Sequence, residues 1–328
     1  MKFPVHYGNN LIKELLSGHP HIITTAPLVG KLRELSQRKT NQFHVPGSMD
    51  ETALQSWEAG LPGMERVLGI GAGVVMDAAK FVAWKRGLPL CLAPSAVSVD
   101  AAVTETIGVR RNGRVTYIGE IYPEAVYVDY DMIRSAPANI NRAGAGDILS
   151  IHTALYDWKL ASEKTGERYD PFIARQSRDL LSELSRSALE IQNVTNSGIK
   201  KLMELYSAEV ALCRQIGSSR PEEGAEHFWA YNVEYRTGKH LVHGELVTLG
   251  VLLISVLQNN DPTGIRALVE KIAIRWRPDE IGLTKEQVAD SLRTAHQYVK
   301  TNNHVYSILD EYDLNEKQVT ELLKAVGI

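Results

Sequence analysis

Cysteine is scarce in this chain, because Cys91 and Cys213 are the only two among 328 residues. Two cysteines cannot staple a chain of this size, and no Cys-x-x-Cys pair is present for a metal or redox site. Any metal ion bound here must therefore take histidine and carboxylate ligands.

An excess of basic charge is also absent, since 36 Lys and Arg residues stand against 39 Asp and Glu residues and the net charge is −3. This balance excludes the basic field that nucleic-acid binding requires. The most apolar long stretch, residues 246–257, is well short of the ~20 residues that span a bilayer, which excludes membrane insertion. Residues 1–6 lack the charged, apolar and small-residue segments of a secretion signal, so a cytoplasmic location is expected.

Apolar residues are plentiful at 44%, and a chain of this length is expected to form two domains. The first part alternates short β-like runs with helical runs, which predicts a parallel sheet covered by helices. Asn112-Gly113 predicts a β-hairpin turn within residues 103–117. The predicted strands are residues 21–25, 42–45, 66–70, 90–93 and 125–128.

From Asn141 onward, apolar residues recur at helical spacing, which predicts an all-α second part. We therefore expect an α/β domain over residues 1–139 and an α-helical domain over residues 140–328, with a cleft between them where cofactor and substrate sites commonly lie. The predicted helices include residues 199–216, 224–236, 245–258, 264–274, 285–299 and 316–326.

A glycine-rich loop, Gly-Ile-Gly-Ala-Gly at residues 69–73, joins a predicted strand to a predicted helix. Glycines at such a turn let the backbone approach a phosphate, and the free N–H groups at the helix start suit a pyrophosphate. The spacing is not the Rossmann fingerprint G-x-G-x-x-G. Taken alone, the loop is equally consistent with a tight strand-to-helix turn.

Histidines and a carboxylate in the second part could form a catalytic metal site, which needs three protein ligands and one open position. The candidates are His152, His227, His240, His243 and Asp147. Two of them have a structural alternative. Asp147 follows glycines near a helix start and is favoured on spacing alone as an N-cap, and His227 could be a hydrogen-bonded core residue. His240 and His243 would share one face if their segment were helical. Spacing does not decide between these pairings.

Taken together, the motifs resemble the superfamily of metal-dependent polyol and alcohol dehydrogenases that also contains 3-dehydroquinate synthase. They are the glycine loop with Asp77 and Lys80, residues 93–100, Gly-Ala-Gly-Asp at 144–147, Glu-His at 226–227 and His-Gly-Glu at 243–245. Residues 146–161 and 305–309 look most like the sn-glycerol-1-phosphate dehydrogenases, and the glycerol dehydrogenases are the next nearest relatives.

This resemblance implies a dehydroquinate synthase-like fold, in which the α/β domain binds NAD or NADP and the α-helical domain binds metal and substrate. It implies one divalent cation, with zinc favoured over nickel or iron, held by Asp147, His227 and His243. These three residues and Asp100, which would lie beside the nicotinamide and the substrate hydroxyls, form the implied catalytic set. The residues implied to bind the dinucleotide are Gly71, Ala72, Gly73, Asp77, Ser95, Ser98 and Asp100. In this resemblance His152 and His240 are not ligands; they either lie around the ligands or have a structural role.

Two departures from the family pattern concern the cofactor loop and the substrate phosphate. Ile70 and Ala72 replace two residues of the usual Gly-Gly-Gly loop. Ala101 stands where a glycine usually follows the aspartate, and His304-Val305 stand where an arginine usually precedes the Tyr306 run. The substrate phosphate is therefore the least supported part of the resemblance.

The implied reaction is the metal-assisted reduction of dihydroxyacetone phosphate to sn-glycerol 1-phosphate, with hydride passing from the nicotinamide. The choice between NAD and NADP stays open. An acid at the end of the second strand would favour NAD by binding its ribose 2′-hydroxyl, but the first acid after the predicted second strand is Asp50, some distance further along the chain. Lys80 near the glycine loop could help neutralise a pyrophosphate, but as a residue of the first helical turns it is expected to face solvent. A homo-oligomer is also expected.

Three other functions remain alternatives. The first is a glycerol or other polyol dehydrogenase. The second is a cyclase like 3-dehydroquinate synthase, for which Arg110, Arg111 and Arg114 could bind a phosphate unless they simply form a solvated hairpin. The third is a binding protein with a relict site, which is disfavoured because all three ligand types are present.

Overall fold

A computed structural model describes residues 3–18, 21–36 and 40–328. The chain divides into two compact units, Met1–Asn141 and Arg142–Ile328. The first unit is α/β and the second is helical, as the sequence predicts.

The N-terminal unit is built on a six-stranded parallel sheet with the strand order β1-β8-β5-β4-β2-β3, and a separate hairpin pairs β6 with β7. The strands are β1 (Val5–Gly8), β2 (His21–Thr24), β3 (Gln42–His44), β4 (Val67–Gly71), β5 (Leu90–Pro94), β6 (Thr106–Arg111), β7 (Arg114–Glu120) and β8 (Ala125–Asp129). The helices are α1 (Leu11–Gly18), α2 (Ala26–Leu35), α3 (Glu51–Ala59), α4 (Gly73–Arg86), α5 (Tyr130–Arg134) and α6 (Ala138–Ala143), with a short 3-10 helix at Asp100–Ala102.

The central strands β4 and β5 are buried along their whole length, which is why both read as continuous apolar runs. Side chains from β2 and β4, among them Ile22 and Leu68, pack with Ile12 and Leu16 of α1 in one core cluster. The turn between β6 and β7 has positive φ at both Asn112 and Gly113, as a two-residue hairpin turn requires. The predicted hairpin is therefore confirmed.

One strand escaped prediction. Residues Val5–Gly8 form β1, which pairs in parallel with β8 from Val5 opposite Val126 to Gly8 opposite Asp129. The segment is four residues long and lies at the edge of the sheet, so its own sequence carries little apolar periodicity. The partner strand, about 120 residues away in the chain, decides its conformation.

The C-terminal unit contains ten helices among the described residues. They are α7 (Ala145–Thr165), α8 (Pro171–Arg186), α9 (Ala188–Gln192), α10 (Asn196–Ile216), α11 (Ala225–Thr237), α12 (His243–Leu257), α13 (Pro262–Ile272), α14 (Lys285–Thr301), α15 (Ile308–Glu311) and α16 (Glu316–Val326). Helix α12 is almost wholly buried, which accounts for the apolar run of the sequence at 246–257. In the described part of the chain, no helix combines the length and apolar character needed to cross a membrane.

Candidate active site

The glycine loop and the loop that follows β5, called the serine loop because it carries Ser95 and Ser98, meet at the carboxyl ends of two neighbouring strands. Gly71 ends β4 and lies opposite Pro94, the last residue of β5. The Ser95 N–H donates to the carbonyl oxygen of Gly71 at 2.8 Å, and Ser95 and Ser98 are both buried. The structure thus places the two loops predicted to bind a dinucleotide side by side.

The glycines of this loop are required by packing as well as by any ligand. A Cβ on Gly71 would lie 2.5 Å from the Val75 side chain, and one on Gly73 would lie 2.9 Å from Val99. Ala72 stands between them as the residue that precedes α4, where it makes no side-chain cap hydrogen bond. The side chain of Ala72 thus leaves the first N–H groups of α4 available, and N–H groups at a helix start bind anions such as phosphates. The departure from Gly-Gly-Gly at Ala72 leaves the close contacts at Gly71 and Gly73 intact.

Lys80 does not face solvent, so that prediction is wrong. Its side chain is fully buried, its Nζ lies 2.8 Å from Asp77 Oδ1, and it donates to the carbonyl oxygens of Thr104 and Thr106. The strand β6, which covers this face of α4, buries the lysine, and no pattern local to the helix could show that contact. Burial raises the pKa of the Asp77 carboxyl, while Lys80 and the Gly108 N–H act to lower it. Asp77 and Lys80 together tie α4 to the hairpin, and the predicted cofactor role of Asp77 stays a prediction.

Lys80→Ala is expected to lower the free energy of unfolding by about 3 kcal/mol or more, because it leaves a carboxylate and two carbonyls in a largely buried place without their cation. Urea denaturation measures the effect. The double variant Asp77→Asn/Lys80→Met, which removes both charges, should lose less than Lys80→Ala. If the double variant loses more, the ion pair is not what stabilises this contact.

Asp100 begins the 3-10 helix and is partly buried. It follows Val99, whose side chain lies against Gly73, so it belongs to the same loop region as the residues predicted to bind the dinucleotide. The arginines considered for a cyclase lie on the hairpin, where Arg111 pairs with Glu51 at 2.6 Å. That ion pair gives Arg111 a role in attaching the hairpin to α3.

In the C-terminal unit, Asp147, His227 and His243 come together although they are far apart in sequence. One ligand atom from each lies within 4.8 Å of the other two, and this is the single group of three or more such side chains found among residues 3–18, 21–36 and 40–328. His243 Nε2 lies 3.4 Å from Asp147 Oδ1. Two ligand atoms about 2.1 Å from a tetrahedral cation would be separated by about 3.4 Å, so this spacing fits a zinc-like ion.

Burial differs across the group. The His227 side chain is 7% exposed and that of Asp147 is 10% exposed, whereas the His243 side chain is 35% exposed. The open position of a cation held here would therefore be reached from the side of His243. One carboxylate and two imidazoles form the mixed donor set that zinc, nickel and iron accept. The residues present thus fit a divalent cation.

Glu226 orients His227 from within the same turn. Its Oε1 lies 3.0 Å from His227 Nδ1 and also accepts from the Gly224 N–H, which leaves Nε2 as the imidazole nitrogen available to a cation. Burial acts to lower the pKa of His227, but the hydrogen bond and the charge of Glu226 outweigh it and raise the pKa to about 9. A cation binding at this imidazole would therefore displace a proton.

Close backbone packing brings Asp147 and His243 together. A Cβ on Gly146 would lie 2.3 Å from the carbonyl oxygen of Gly244, and a Cβ on Gly244 would lie 1.8 Å from that of Ala143. Each of the two glycines is the neighbour of a candidate ligand. The starts of α7 and α12 can approach this closely only because both side chains are absent.

Helix α12 is further held at its start by Glu245, which is buried and binds Arg275 through two hydrogen bonds of 2.7 and 3.1 Å. Such a bidentate pair fixes orientation as well as position. It lies two residues from His243. The motifs at 226–227 and 243–245 include both glutamates, but residue spacing carries no signal for their partners, so the roles of Glu226 and of the Glu245–Arg275 pair were not predicted.

Two structural alternatives from the sequence are wrong. Asp147 is not an N-cap, because Gly144 precedes α7 and Asp147 is the third residue of the helix. His240 and His243 do not share a helical face, because α12 begins at His243 and His240 is an exposed loop residue. His152 lies along α7, where its Nε2 is 2.6 Å from the Asn260 carbonyl oxygen, so it joins α7 to the segment after α12.

Comparisons with known proteins show which families this chain resembles. The family model of iron-containing alcohol dehydrogenases matches residues 16–137. A glycerol-1-phosphate dehydrogenase [NAD(P)+] from Staphylothermus marinus is 32% identical over 81% of this chain and 74% of its own length. Another from Pyrococcus horikoshii is 27% identical over 98% of this chain and 94% of its own.

Solved structures share the fold at lower identity. A probable glycerol dehydrogenase from Sinorhizobium meliloti superimposes with a TM-score of 0.69 at 19% identity, covering 98% of this chain and 95% of that one. The fold class expected from the sequence is thereby confirmed. The families concerned are oxidoreductases that use NAD(P) and depend on a metal. The chain belongs to the glycerol-1-phosphate dehydrogenase family of the iron-containing alcohol dehydrogenases.

Proposed function

We propose that this chain reduces dihydroxyacetone phosphate to sn-glycerol 1-phosphate with NADH or NADPH, and that Asp147, His227 and His243 hold the divalent cation the reaction needs. The observation that carries the proposal is the convergence of these three side chains, from three separate helices, within 4.8 Å of one another. The relatives from Staphylothermus marinus and Pyrococcus horikoshii, named for the glycerol-1-phosphate reaction, support the choice of substrate. Zinc is the cation we favour, with nickel and iron as alternatives.

The chain's own residues prepare the site for that chemistry. When bound, the cation supplies a Lewis acid for the substrate oxygen. Asp147 contributes the negative charge that offsets a divalent ion. Glu226 accepts from His227 Nδ1 and so holds the imidazole in the orientation that presents Nε2. His243 is the most exposed of the three residues, and we assign substrate entry to its side of the group.

The assignment of the N-terminal unit to the dinucleotide is part of the same proposal. We assign the pyrophosphate to Gly71, Ala72 and Gly73 at the start of α4, where helix N–H groups and the helix dipole favour an anion. We also assign Ser95 and Ser98, which follow the neighbouring strand β5, to the dinucleotide, and Asp100 to the nicotinamide and the substrate hydroxyls. The hydrogen bond from Ser95 to Gly71 supports a single site made of both loops.

The strand order bears on the choice between NAD and NADP. Strand β4 has two neighbours in the sheet: β5, which leads into the serine loop, and β2 on the other side. Asp50 does not follow β2; it follows β3, one strand further out, and caps α3 by accepting from the Ala53 N–H. In dinucleotide-binding folds, an acid after the neighbouring strand binds the ribose 2′-hydroxyl and repels a 2′-phosphate. Here β2 is followed by Thr25, and residues 24–30 contain no acid. We therefore infer that the chain accepts both cofactors.

Thr25→Asp is expected to raise the KM for NADPH at least tenfold and to leave the KM for NADH within about twofold, because the new carboxylate repels only the 2′-phosphate. Steady-state kinetics with both cofactors measures the effect. Thr25→Asn has the same size without the charge and serves as the control. An equal change for both cofactors in Thr25→Asp would place the ribose elsewhere.

The experiment that tests the proposed function follows NADH and NADPH oxidation by the zinc-reconstituted protein, with dihydroxyacetone phosphate and dihydroxyacetone compared side by side. Preference for the phosphate supports the proposal. Preference for the free triose makes the chain a glycerol dehydrogenase. If neither is reduced while NAD still binds, the substrate assignment fails and a cyclase that returns its hydride becomes the better hypothesis.

A further inference from the structure

Helix α7 carries a second buried carboxylate, Asp157, which the proposed chemistry does not use. Its side chain is fully buried and accepts hydrogen bonds from three donors on three other segments. The donors are the Ala225 N–H at 2.8 Å, the Ile308 N–H at 2.8 Å and Gln258 Nε2 at 3.1 Å. Ala225 begins α11, Ile308 begins α15, and Gln258 follows α12 directly.

Placing a carboxylate there is costly, because a charge removed from water must recover its hydration through hydrogen bonds. Burial and the nearby charge of Glu226 raise the pKa of Asp157 to about 7. Donors at helix starts offset part of the cost, since N–H groups and the helix dipole favour negative charge there. An apolar side chain would fill the same space without this cost, but it could not bind three backbone and side-chain donors at once.

The donors connect Asp157 to the start of α11, two residues before His227. Glu226, which orients His227, is attached to the same part of α7, because its Oε2 accepts from the Thr153 hydroxyl at 2.7 Å. Gln258 Nε2 reaches both Asp157 and the Thr153 carbonyl oxygen. The first turn of α11 is thus bound to α7 at two places one helical turn apart.

We propose that Asp157 is a positioning residue for the cation site, which holds the first turn of α11 against α7 so that His227 faces Asp147. Both ligands then depend on α7: Asp147 lies on it, and His227 is attached to it through Asp157 and Glu226. The inference rests on the proposed assignment of Asp147, His227 and His243 to the cation. It adds a residue that touches neither cation nor substrate and that determines how tightly the cation is held.

The test compares Asp157→Asn with Asp129→Asn in the full chain. Asp129 is a matched control, since it is equally buried and accepts from the backbone N–H groups of Ile12, Asp131 and Met132, but it lies in the N-terminal unit. Zinc affinity is measured by competition with a chromogenic chelator at a temperature where each variant is folded by circular dichroism. The visible spectrum of the cobalt-loaded protein reports the ligand geometry independently of turnover.

Asp157→Asn is expected to weaken zinc binding 10- to 100-fold and to change the cobalt spectrum, because an amide can accept through only one of its two polar atoms. Asp129→Asn is expected to lower thermal stability while leaving zinc affinity within about twofold. Equal zinc affinities in the two variants would overturn the inference. If the wild type and His227→Ala bind zinc equally, the proposed site itself is wrong.

Gln258→Met keeps the test decisive if Asp157→Asn does not fold. It removes one of the three donors to Asp157 at nearly constant volume. Zinc affinity should then fall about threefold to tenfold. Unchanged affinity in a folded Gln258→Met variant, together with an unchanged cobalt spectrum, would count against a positioning role for this network.

Discussion

Asp147→Ala is expected to lose tight zinc binding and to lower turnover by about 10³-fold, because the loss of a Lewis acid is worth several kcal/mol of transition-state stabilisation. Asp147 supplies the only negative charge of the three-residue group, and its Oδ1 lies 3.4 Å from His243 Nε2. Alanine is well tolerated near a helix start and preserves α7. Activity and bound zinc should therefore fall together while the circular dichroism spectrum stays unchanged.

Two controls isolate the cause of that loss. His240→Ala removes an exposed imidazole three residues before His243 and should retain wild-type activity and zinc content. Wild-type protein stripped with a chelator should reproduce the loss and recover on addition of zinc. An Asp147→Ala variant that kept full turnover would contradict the proposed mechanism, and a zinc-deficient His240→Ala variant would return His240 to the ligand set.

Among glycine-to-alanine substitutions near the site, we expect Gly244→Ala to lower the free energy of unfolding the most. The new Cβ would lie 1.8 Å from the carbonyl oxygen of Ala143, the last residue of α6, so the start of α12 must move away from the end of α6 by more than an ångström. Overpacking of this kind costs about 3 kcal/mol, and here the opposing atom belongs to the backbone and cannot rotate away. Because His243 is the adjacent residue, zinc affinity should fall with stability.

Gly30→Ala is the matched control for this substitution. Gly30 lies within helix α2, and nothing stands within 4 Å of an added Cβ. Alanine there is expected to be neutral or to stabilise the protein by up to about 1 kcal/mol. Urea denaturation and chelator competition measure both variants. A Gly244→Ala protein with wild-type stability and zinc affinity would show that the start of α12 can move away from α6 without disturbing the site.

The sheet and its helices could be predicted because their signals are local. Apolar runs of four or five residues alternate with helical periodicity, and the Asn112-Gly113 dipeptide specifies a turn by its own backbone preferences. The missed strand, Val5–Gly8, lacks such a signal, since it is held by its pairing with β8. The expected homo-oligomer stays a prediction.

By itself, the sequence determined the α/β and helical parts, the loop that joins β4 to α4, and the candidate ligand types, because turn chemistry, periodicity and residue identity are properties of short segments. Residue spacing left the histidine partners of Asp147 open, and the family resemblance implied His227 and His243. Only the tertiary structure shows these three side chains together, because they lie on three separate helices. It also decided that Lys80 is buried and that Asp157 binds the start of α11. All of these are contacts between separate segments of the chain. The one between Asp147 and His243 is possible because Gly146 and Gly244 let two backbones touch.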